Sequence, residues 1–117
     1  MVTRFDSTAS LRFAAKGTCG DRIEVADFTL EGEAAVTGHS WIAQVRDHAG
    51  VLVADLEVQR SVVSVDAPGD SARIVLVLSA AHSAAIAPGV YMVEAEDVTQ
   101  ARTRATGTLR LERDWAT

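Results

Sequence analysis

Apolar residues recur at every second position along most of this chain, and very few recur at helical spacing. Such alternation places successive side chains on opposite faces of a β-strand. Strands are therefore predicted at 11–16, 22–30, 41–46, 51–59, 62–65, 72–78, 91–96 and 103–111. In the second of these, the apolar positions change parity after Val25, which predicts a β-bulge that re-aims the strand.

Turn signals separate the predicted strands at short intervals. Glycine, aspartate and proline, which favour tight turns, cluster at 17–21, 47–50 and 66–70. One stretch has helical character, because Ser79 can cap a helix, alanines follow it, and Pro88-Gly89 ends it. Short strands with turns at this spacing predict a single all-β sandwich with one short helical turn near 80–87.

Length, charge and hydropathy limit the possible functions. The 117 residues fit one domain, in which we expect 1–19 to be an N-terminal arm or extra strand and 20–117 to be the sandwich. A net charge of −5 argues against nucleic acid as the main partner, because binding phosphates needs clustered positive charge. No apolar run approaches the ~18 residues of a membrane span, and no signal-peptide core is seen at the N-terminus. The sequence therefore predicts a soluble chain made in a cytoplasm, without a membrane partner.

The last two strands allow their register to be predicted. Opposite charges that face each other stabilise a strand pair, and an aromatic ring can cover a cross-strand glycine. Centring the hairpin on Thr99 makes paired residue numbers sum to 198: Glu94 with Arg104, Glu96 with Arg102, and Tyr91 with Gly107. The Tyr91 side is then expected to face the core and the charged side to face outward.

Two features indicate surfaces that another chain could cover. Residues 74–78 are apolar at both parities, so both faces of this strand should be buried. We expect Val75 and Val77 to lie under a loop, the N-terminal arm or another subunit. Trp115, near the chain end, is expected either to fold back on the sandwich or to anchor a neighbour, as interfacial tryptophans do.

No catalytic, cofactor or metal site is predicted. No Gly-x-Ser-x-Gly turn surrounds the serines considered with His39, His48 and His82 as triad members: Ser40, Ser79 and Ser83. Asp66 and Asp70 supply too few oxygens for Ca²⁺, and Cys19, the single cysteine, is expected to be a small, half-buried side chain. Trp41 and Tyr91 are expected to fill the core rather than to form a sugar-stacking platform with Trp115.

Several short motifs together resemble one family. They are Gly20-Asp21, Val36-Thr37-Gly38, Ala43-Gln44-Val45-Arg46, Leu78-Ser79-Ala80-Ala81, Gly89-x-Tyr91-x-Val93-Glu94 and Gly107-x-Leu109-x-Leu111. Residues 20–117 thereby resemble the small Ig-like β-sandwich domain of tailed-phage virion structural proteins, similar to the N-terminal domain of baseplate upper proteins. Val93, Glu94 and Trp115 stand where that family has tyrosine, aspartate and valine.

The resemblance implies a fold, a role and a set of partners. The fold would be a single Ig-like antiparallel β-sandwich of about seven to eight strands, with Trp41, Tyr91 and Gly107 as its core signature. The role would be that of a non-enzymatic virion structural protein without cofactors, in the tail, baseplate or fibre attachment region. Its partners would be other virion proteins and copies of itself. The alternatives are a capsid-surface decoration protein and an Ig-like ligand- or receptor-binding module outside a virion.

Overall fold

A computed structural model describes residues 3–5, 11–64 and 70–113, which form two packed sheets. The strands are β1 (Thr3–Phe5), β2 (Leu11–Thr18), β3 (Ile23–Leu30), β4 (Trp41–Arg46), β5 (Leu52–Asp55), β6 (Glu57–Ser64), β7 (Asp70–Leu78), β8 (Gly89–Asp97) and β9 (Arg102–Glu112). A 3₁₀ helix (Ala34–Gly38) follows β3, and a short helix α1 (Ala80–Ala84) follows β7. The predicted all-β sandwich is confirmed, with nine strands in these ranges. No helix within them is long and apolar enough to cross a membrane.

The order of the strands is that of an immunoglobulin-type sandwich. One sheet has the order β1-β3-β7-β6 and the other the order β2-β9-β8-β4-β5. In the letters used for immunoglobulin domains, these are strands A-B-E-D facing G-F-C-C′, with β2 added beside G. The pairings among β3 to β9 are antiparallel, as expected, whereas β1 and β2 pair in parallel with β3 and β9.

Two local predictions are confirmed. The parity change in β3 is a bulge, because its pairing with β7 shifts between Glu24 and Ala26. The side chain of Ser79 accepts a hydrogen bond from the backbone N–H of His82 at 3.1 Å and so caps α1. Such a cap satisfies one of the N–H groups that a helix start leaves unpaired.

The segment 51–59, expected as one strand, divides into two strands at Leu56. The backbone N–H of Leu56 donates to the carbonyl of Ala43 at 2.8 Å, and its side chain is buried in the core. On either side of it, β5 pairs with β4 in one sheet and β6 pairs with β7 in the other. The alternating pattern continues through Leu56 and therefore gives no sign of this change of sheet.

The core lies between the sheets and is built from their inward-facing positions. Its fully buried large apolar side chains are Phe28, Leu30, Ile74, Leu76 and Leu78 from the four-stranded sheet, and Val45, Leu109 and Leu111 from the five-stranded one. Each such side chain stabilises the fold by roughly 1.5–3 kcal/mol relative to leaving it exposed. β2 joins this core through Leu11, Phe13 and Ala15, which are partly buried against it.

The register of β8 and β9 differs from the prediction. From Gly89 to Ala95, paired residue numbers sum to 200, so Tyr91 faces Leu109 and Glu94 faces Thr106. The predicted sum of 198 is wrong, as is the pairing of Glu94 and Glu96 with arginines. A shift of two residues preserves the faces, and Tyr91 packs against the core as expected.

Two features of the hairpin, its turn and a bulge, each change the register by one residue. The turn is one residue longer than assumed, since Asp97 pairs with Arg102 and Ala101 adopts a positive φ of 53° to close it. The second is a bulge, because Ala95 pairs with Ala105 and Glu96 pairs with Thr103. Arg104, which lies between these two pairs and has no partner on β8, therefore turns inward and is fully buried.

Gly107 is covered by an aromatic ring, but from a different strand than predicted. It pairs with Phe13 of β2. A Cβ at Gly107 would overlap the backbone carbonyl oxygen of Phe13 and lie 2.6 Å from its ring. The parallel addition of β2 thus supplies the ring that the sequence assigned to Tyr91.

Candidate protein–protein interface

The two sheets present different outer faces to solvent. On the outer face of the five-stranded sheet, four large apolar side chains are 46% to 56% exposed: Ile42, Leu52, Val90 and Met92. In the described part of the other sheet, the one such side chain is Val62 on the edge strand β6, which is 54% exposed and pairs with the buried Ala72. Exposed apolar side chains gathered on one surface are typical of sites that bind other proteins. We call this surface the five-strand face.

The pairing of the strands places these side chains in neighbouring rows. Met92 lies beside Arg46, which lies beside Leu52 at the sheet edge. The guanidinium of Arg46 is already engaged, because it donates to the Gln44 side chain at 2.7 Å and to the carbonyl of Gly50 at 3.0 Å. Beside it, a shallow depression of about 250 Å³ is lined by Ile42, Gln44, Arg46, Glu94 and Glu96. The face is thus a mixed apolar and polar surface with a depression beside Arg46.

Charges of both signs lie on each flank of the five-strand face, because Lys16 pairs with Glu112 on one flank and Arg46 lies on β4, between the strands that hold Glu94 and Asp55. Arg12 on β2 and Arg110 on β9 are exposed on one flank, whereas Glu94 on β8 and Asp55 on β5 are exposed towards the other. One row runs from Arg12 through Thr106, Glu94 and Gln44 to Asp55. In the described ranges, none of the four exposed charges forms an ion pair within the chain. Glu94 accepts a hydrogen bond from the Thr103 hydroxyl at 3.4 Å.

The predicted interface residues lie elsewhere. Val75 and Val77 are 8% and 1% exposed in the single chain, so strand 74–78 is covered on both faces, as predicted. Val77 lies between Glu24 and Glu57 on the adjacent strands. These valines leave almost no surface for a second subunit to cover. Trp115 lies outside the described residues, and its role stays a prediction.

Trp41 and Tyr91 pack against the core, as expected, and each also forms a hydrogen bond with its polar group. Trp41 packs against the core, and its indole N–H donates to the carbonyl of Val36 at 3.0 Å. Tyr91 packs there too, and its hydroxyl donates to the carbonyl of Ala87 at 2.5 Å. A tyrosine near the start of the sixth Ig strand that bonds backward in this way is the tyrosine corner of such sandwiches. Both rings are partly buried against the core.

The environment of Tyr91 predicts an observable titration. Burial, and secondarily the charges of Cys19 and Asp47, raise the pKa of its phenol. The folded state therefore favours the protonated phenol, and the stability that this contributes is present below pH 10 and lost as the pH rises above it. Tyr91 is the only tyrosine, so ultraviolet absorbance follows it alone. We expect a midpoint above 10 in the folded chain and about 10 in urea; equal midpoints would contradict this placement.

A buried polar network joins two loops at one end of the sandwich. Arg104, fully buried, donates to both carboxylate oxygens of Glu33, with N–O distances of 3.2 and 2.7 Å. Asp97, also fully buried, bonds the His39 ring at 2.7 Å. The backbone N–H of Val98 donates to the carbonyl of Ser40 at 2.8 Å. These contacts tie the β3–β4 loop, which holds the 3₁₀ helix, to the β8–β9 turn.

The histidines and serines do not assemble into a recognisable triad. His39 has a carboxylate partner in Asp97, but Ser79 caps α1, and the buried Ser83 hydroxyl donates to the carbonyl of Asp21 at 2.6 Å. Ser40 contributes backbone groups to the loop contacts. In the described ranges, no group of three or more histidine, cysteine and carboxylate side chains could hold a metal ion.

The remaining candidates are placed as follows. Cys19 is half-buried, as expected, with its thiol 3.5 Å from the carbonyl of Ile86. Asp70 begins β7, while Asp66 and most of the predicted turn around it lie outside the described residues.

The chain was compared with known proteins. No protein-family model matches it, and no curated protein matches it.

Proposed function

We propose that this chain is a non-enzymatic structural module that joins other proteins through its five-strand face. The observation that carries the proposal is that four exposed large apolar side chains, including Met92 and Val90, lie on the outer face of the five-stranded sheet. A sandwich with a continuous core is rigid, so little conformational freedom is lost when one of its flat faces meets a partner. The mixture of apolar and charged groups suits an interface between folded proteins.

We further propose that the setting is the virion of a tailed phage, in the tail, baseplate or fibre attachment region. The support for this step is the motif resemblance of residues 20–117, together with a sandwich architecture of the kind that the resemblance implies. Virion structural proteins act by shape and adhesion, which agrees with a fold that exposes apolar side chains on one of its faces. Capsid-surface decoration is the nearest alternative within the same setting.

Localisation tests the proposed setting directly. Immunogold labelling of this chain on tailed particles released by its source cells should place gold at the tail or baseplate. Gold spread over the capsid would favour the decoration role instead. Unlabelled particles, with the chain recovered only apart from them, would contradict a virion role altogether.

One observation favours the alternative of an Ig-like ligand- or receptor-binding module. The loops tied together by the Arg104–Glu33 and Asp97–His39 contacts correspond to the B–C and F–G loops of an immunoglobulin domain. Loops at this end bind ligands in variable domains, and loops that are rigid before binding lose less entropy. Under this alternative, the loop end rather than the five-strand face would contact the partner.

A further inference from the structure

We propose that the edge strand β6 binds an extended segment of another protein, which joins the four-stranded sheet as its fifth strand. This site is on the other sheet from the five-strand face and goes beyond the function proposed above. β6 ends the strand order β1-β3-β7-β6, and within the described ranges it pairs with β7 alone. The backbone N–H and C=O groups on its other edge are met in register by one kind of structure, a further β-strand.

The pairing of β6 is long and regular, and this sets it apart from the other sheet edges. It forms eight consecutive pairs with β7 without a register shift, and its sequence contains no proline, glycine or lysine. Short length, bulges and lysines are the features that usually protect an edge from further pairing. β1 has three residues, β5 has four and a shift in its pairing with β4, and β2 carries Lys16 with a side chain 68% exposed. β6 is therefore the edge best suited to strand addition.

One side chain on the core side of β6 is left uncovered. Val58, Arg60 and Val62 pair with fully buried residues of β7, and paired side chains share a face, so these three lie on the core side. Val58 packs against the core, and the Arg60 guanidinium donates to the carbonyl of His39. Val62 has neither kind of cover and is 54% exposed. An added strand would bury Val62 against a side chain of its own.

The outer side of β6 sets the charge that the segment should carry. Glu57, Gln59 and Ser61 lie on this side and are exposed. Glu57 forms no ion pair with any residue that the structure describes. A basic residue directly across from it would stabilise the pairing, whereas an acidic one would weaken it. Side chains stand perpendicular to a sheet, so the added strand flanks Gln59 without covering it.

These two sides together specify the sequence pattern of the occupant. The segment should place an apolar residue opposite Val62 on the core side and a basic residue opposite Glu57 on the outer side. Antiparallel pairing is slightly more stable per residue than parallel pairing. An antiparallel segment therefore reads with the apolar residue first and the basic residue five positions later, counted along β6. Opposite Arg60 a small polar residue suffices, because its guanidinium is already bonded.

A designed peptide tests the site. The end-blocked, fluorescently labelled peptide Thr-Ile-Thr-Ser-Thr-Val-Lys, which sets Ile opposite Val62 and Lys opposite Glu57, should bind the full chain in an anisotropy titration. A second peptide with Glu in place of Lys should bind about threefold to tenfold more weakly, because like charges then face each other. Glu57→Lys should reverse this preference.

Two further variants separate the edge from the rest of the surface. Val62→Lys should weaken binding of both peptides by about fivefold or more, because the apolar contact is lost. As a matched control, Leu52→Lys on the five-strand face, where the side chain is 46% exposed, should leave both affinities unchanged. Hydrogen exchange followed by NMR should show newly protected amides at alternate residues of β6 when the first peptide is bound.

Three results would overturn the inference. One is the absence of binding up to about 1 mM peptide. Another is binding that neither the charge exchange nor Val62→Lys alters. The third is a wild-type chain that associates with itself through β6, since the occupant would then be a second copy. Circular dichroism of each variant shows whether the sandwich is intact, so that misfolding is not counted as lost binding.

Discussion

Replacing Glu33 with alanine should lower the free energy of unfolding by about 3–5 kcal/mol, because the substitution leaves the Arg104 guanidinium buried without its counter-charge. The side chain of Arg104 has no solvent exposure, and Glu33 receives its two hydrogen bonds at 3.2 and 2.7 Å. Urea denaturation of the two proteins, analysed with a common slope, measures the difference.

A matched glutamate provides the control. Glu112 pairs with Lys16 at 3.3 Å, but the two side chains are 46% and 68% exposed. Exposed pairs contribute roughly 0–1 kcal/mol, so Glu112→Ala should be nearly neutral. Adding Arg104→Met to Glu33→Ala should recover much of the loss, because it removes the unpaired charge. Equal losses for the two glutamate substitutions would show that Arg104 is not buried as described.

Replacing Gly107 with alanine should destabilise the sandwich by about 1–3 kcal/mol, because an added Cβ collides with Phe13. The obstacle includes the backbone carbonyl of Phe13 as well as its ring, so a change of rotamer alone cannot relieve it. Relief requires β2 to move away from β9 along part of their eight-residue pairing. Thermal unfolding followed by circular dichroism reports this loss.

Gly38 provides the comparison for this substitution. It lies at the end of the 3₁₀ helix, and a Cβ added there would have no heavy atom within 4 Å. Its φ is not positive either, so an alanine fits the backbone without strain. Gly38→Ala should therefore change stability by no more than about 0.5 kcal/mol. If Gly107→Ala is as mild as this, β2 does not lie against β9 in the way described.

Those features of the fold that depend on local chemistry could be predicted from the sequence. Alternation in 22–30 and 72–78 indicated strands, the parity change after Val25 indicated a bulge, and Ser79 indicated a helix cap. Each of these signals comes from neighbouring residues. The division at Leu56 follows instead from how two sheets meet in space, which no local pattern records.

The place of Arg104 shows why register was harder to predict. Counting back from an assumed turn assigned it to the outer face, opposite Glu94. A single bulge residue reverses the direction of a side chain, and here it turns Arg104 towards Glu33, which lies 71 positions earlier in the chain. Matching charges within the hairpin pairs Arg104 with Glu94, whereas the carboxylate that Arg104 binds, that of Glu33, lies outside the hairpin.

The five-strand face was missed although β8 carries a signal for it. Val90 and Met92 alternate with Tyr91 and Val93, so this strand is apolar at both parities. The same pattern at 74–78 was used to predict cover on both faces. In β7 the chain itself supplies that cover, whereas in β8 the outward residues Val90 and Met92 stay 56% and 53% exposed. Sequence shows that a face is apolar, but only the structure shows whether the chain already covers it.

The central claim is that the five-strand face is the surface through which this chain joins its neighbours, and thiol labelling tests it most directly. In a Cys19→Ser background, Met92→Cys reports on that face and Gln59→Cys on the outer face of the other sheet. Maleimide labelling at position 92 should slow by about tenfold or more on assembly, because interface cores exclude water. Labelling at position 59 should not change. Equal labelling of position 92 in the assembled and isolated chain would contradict the account.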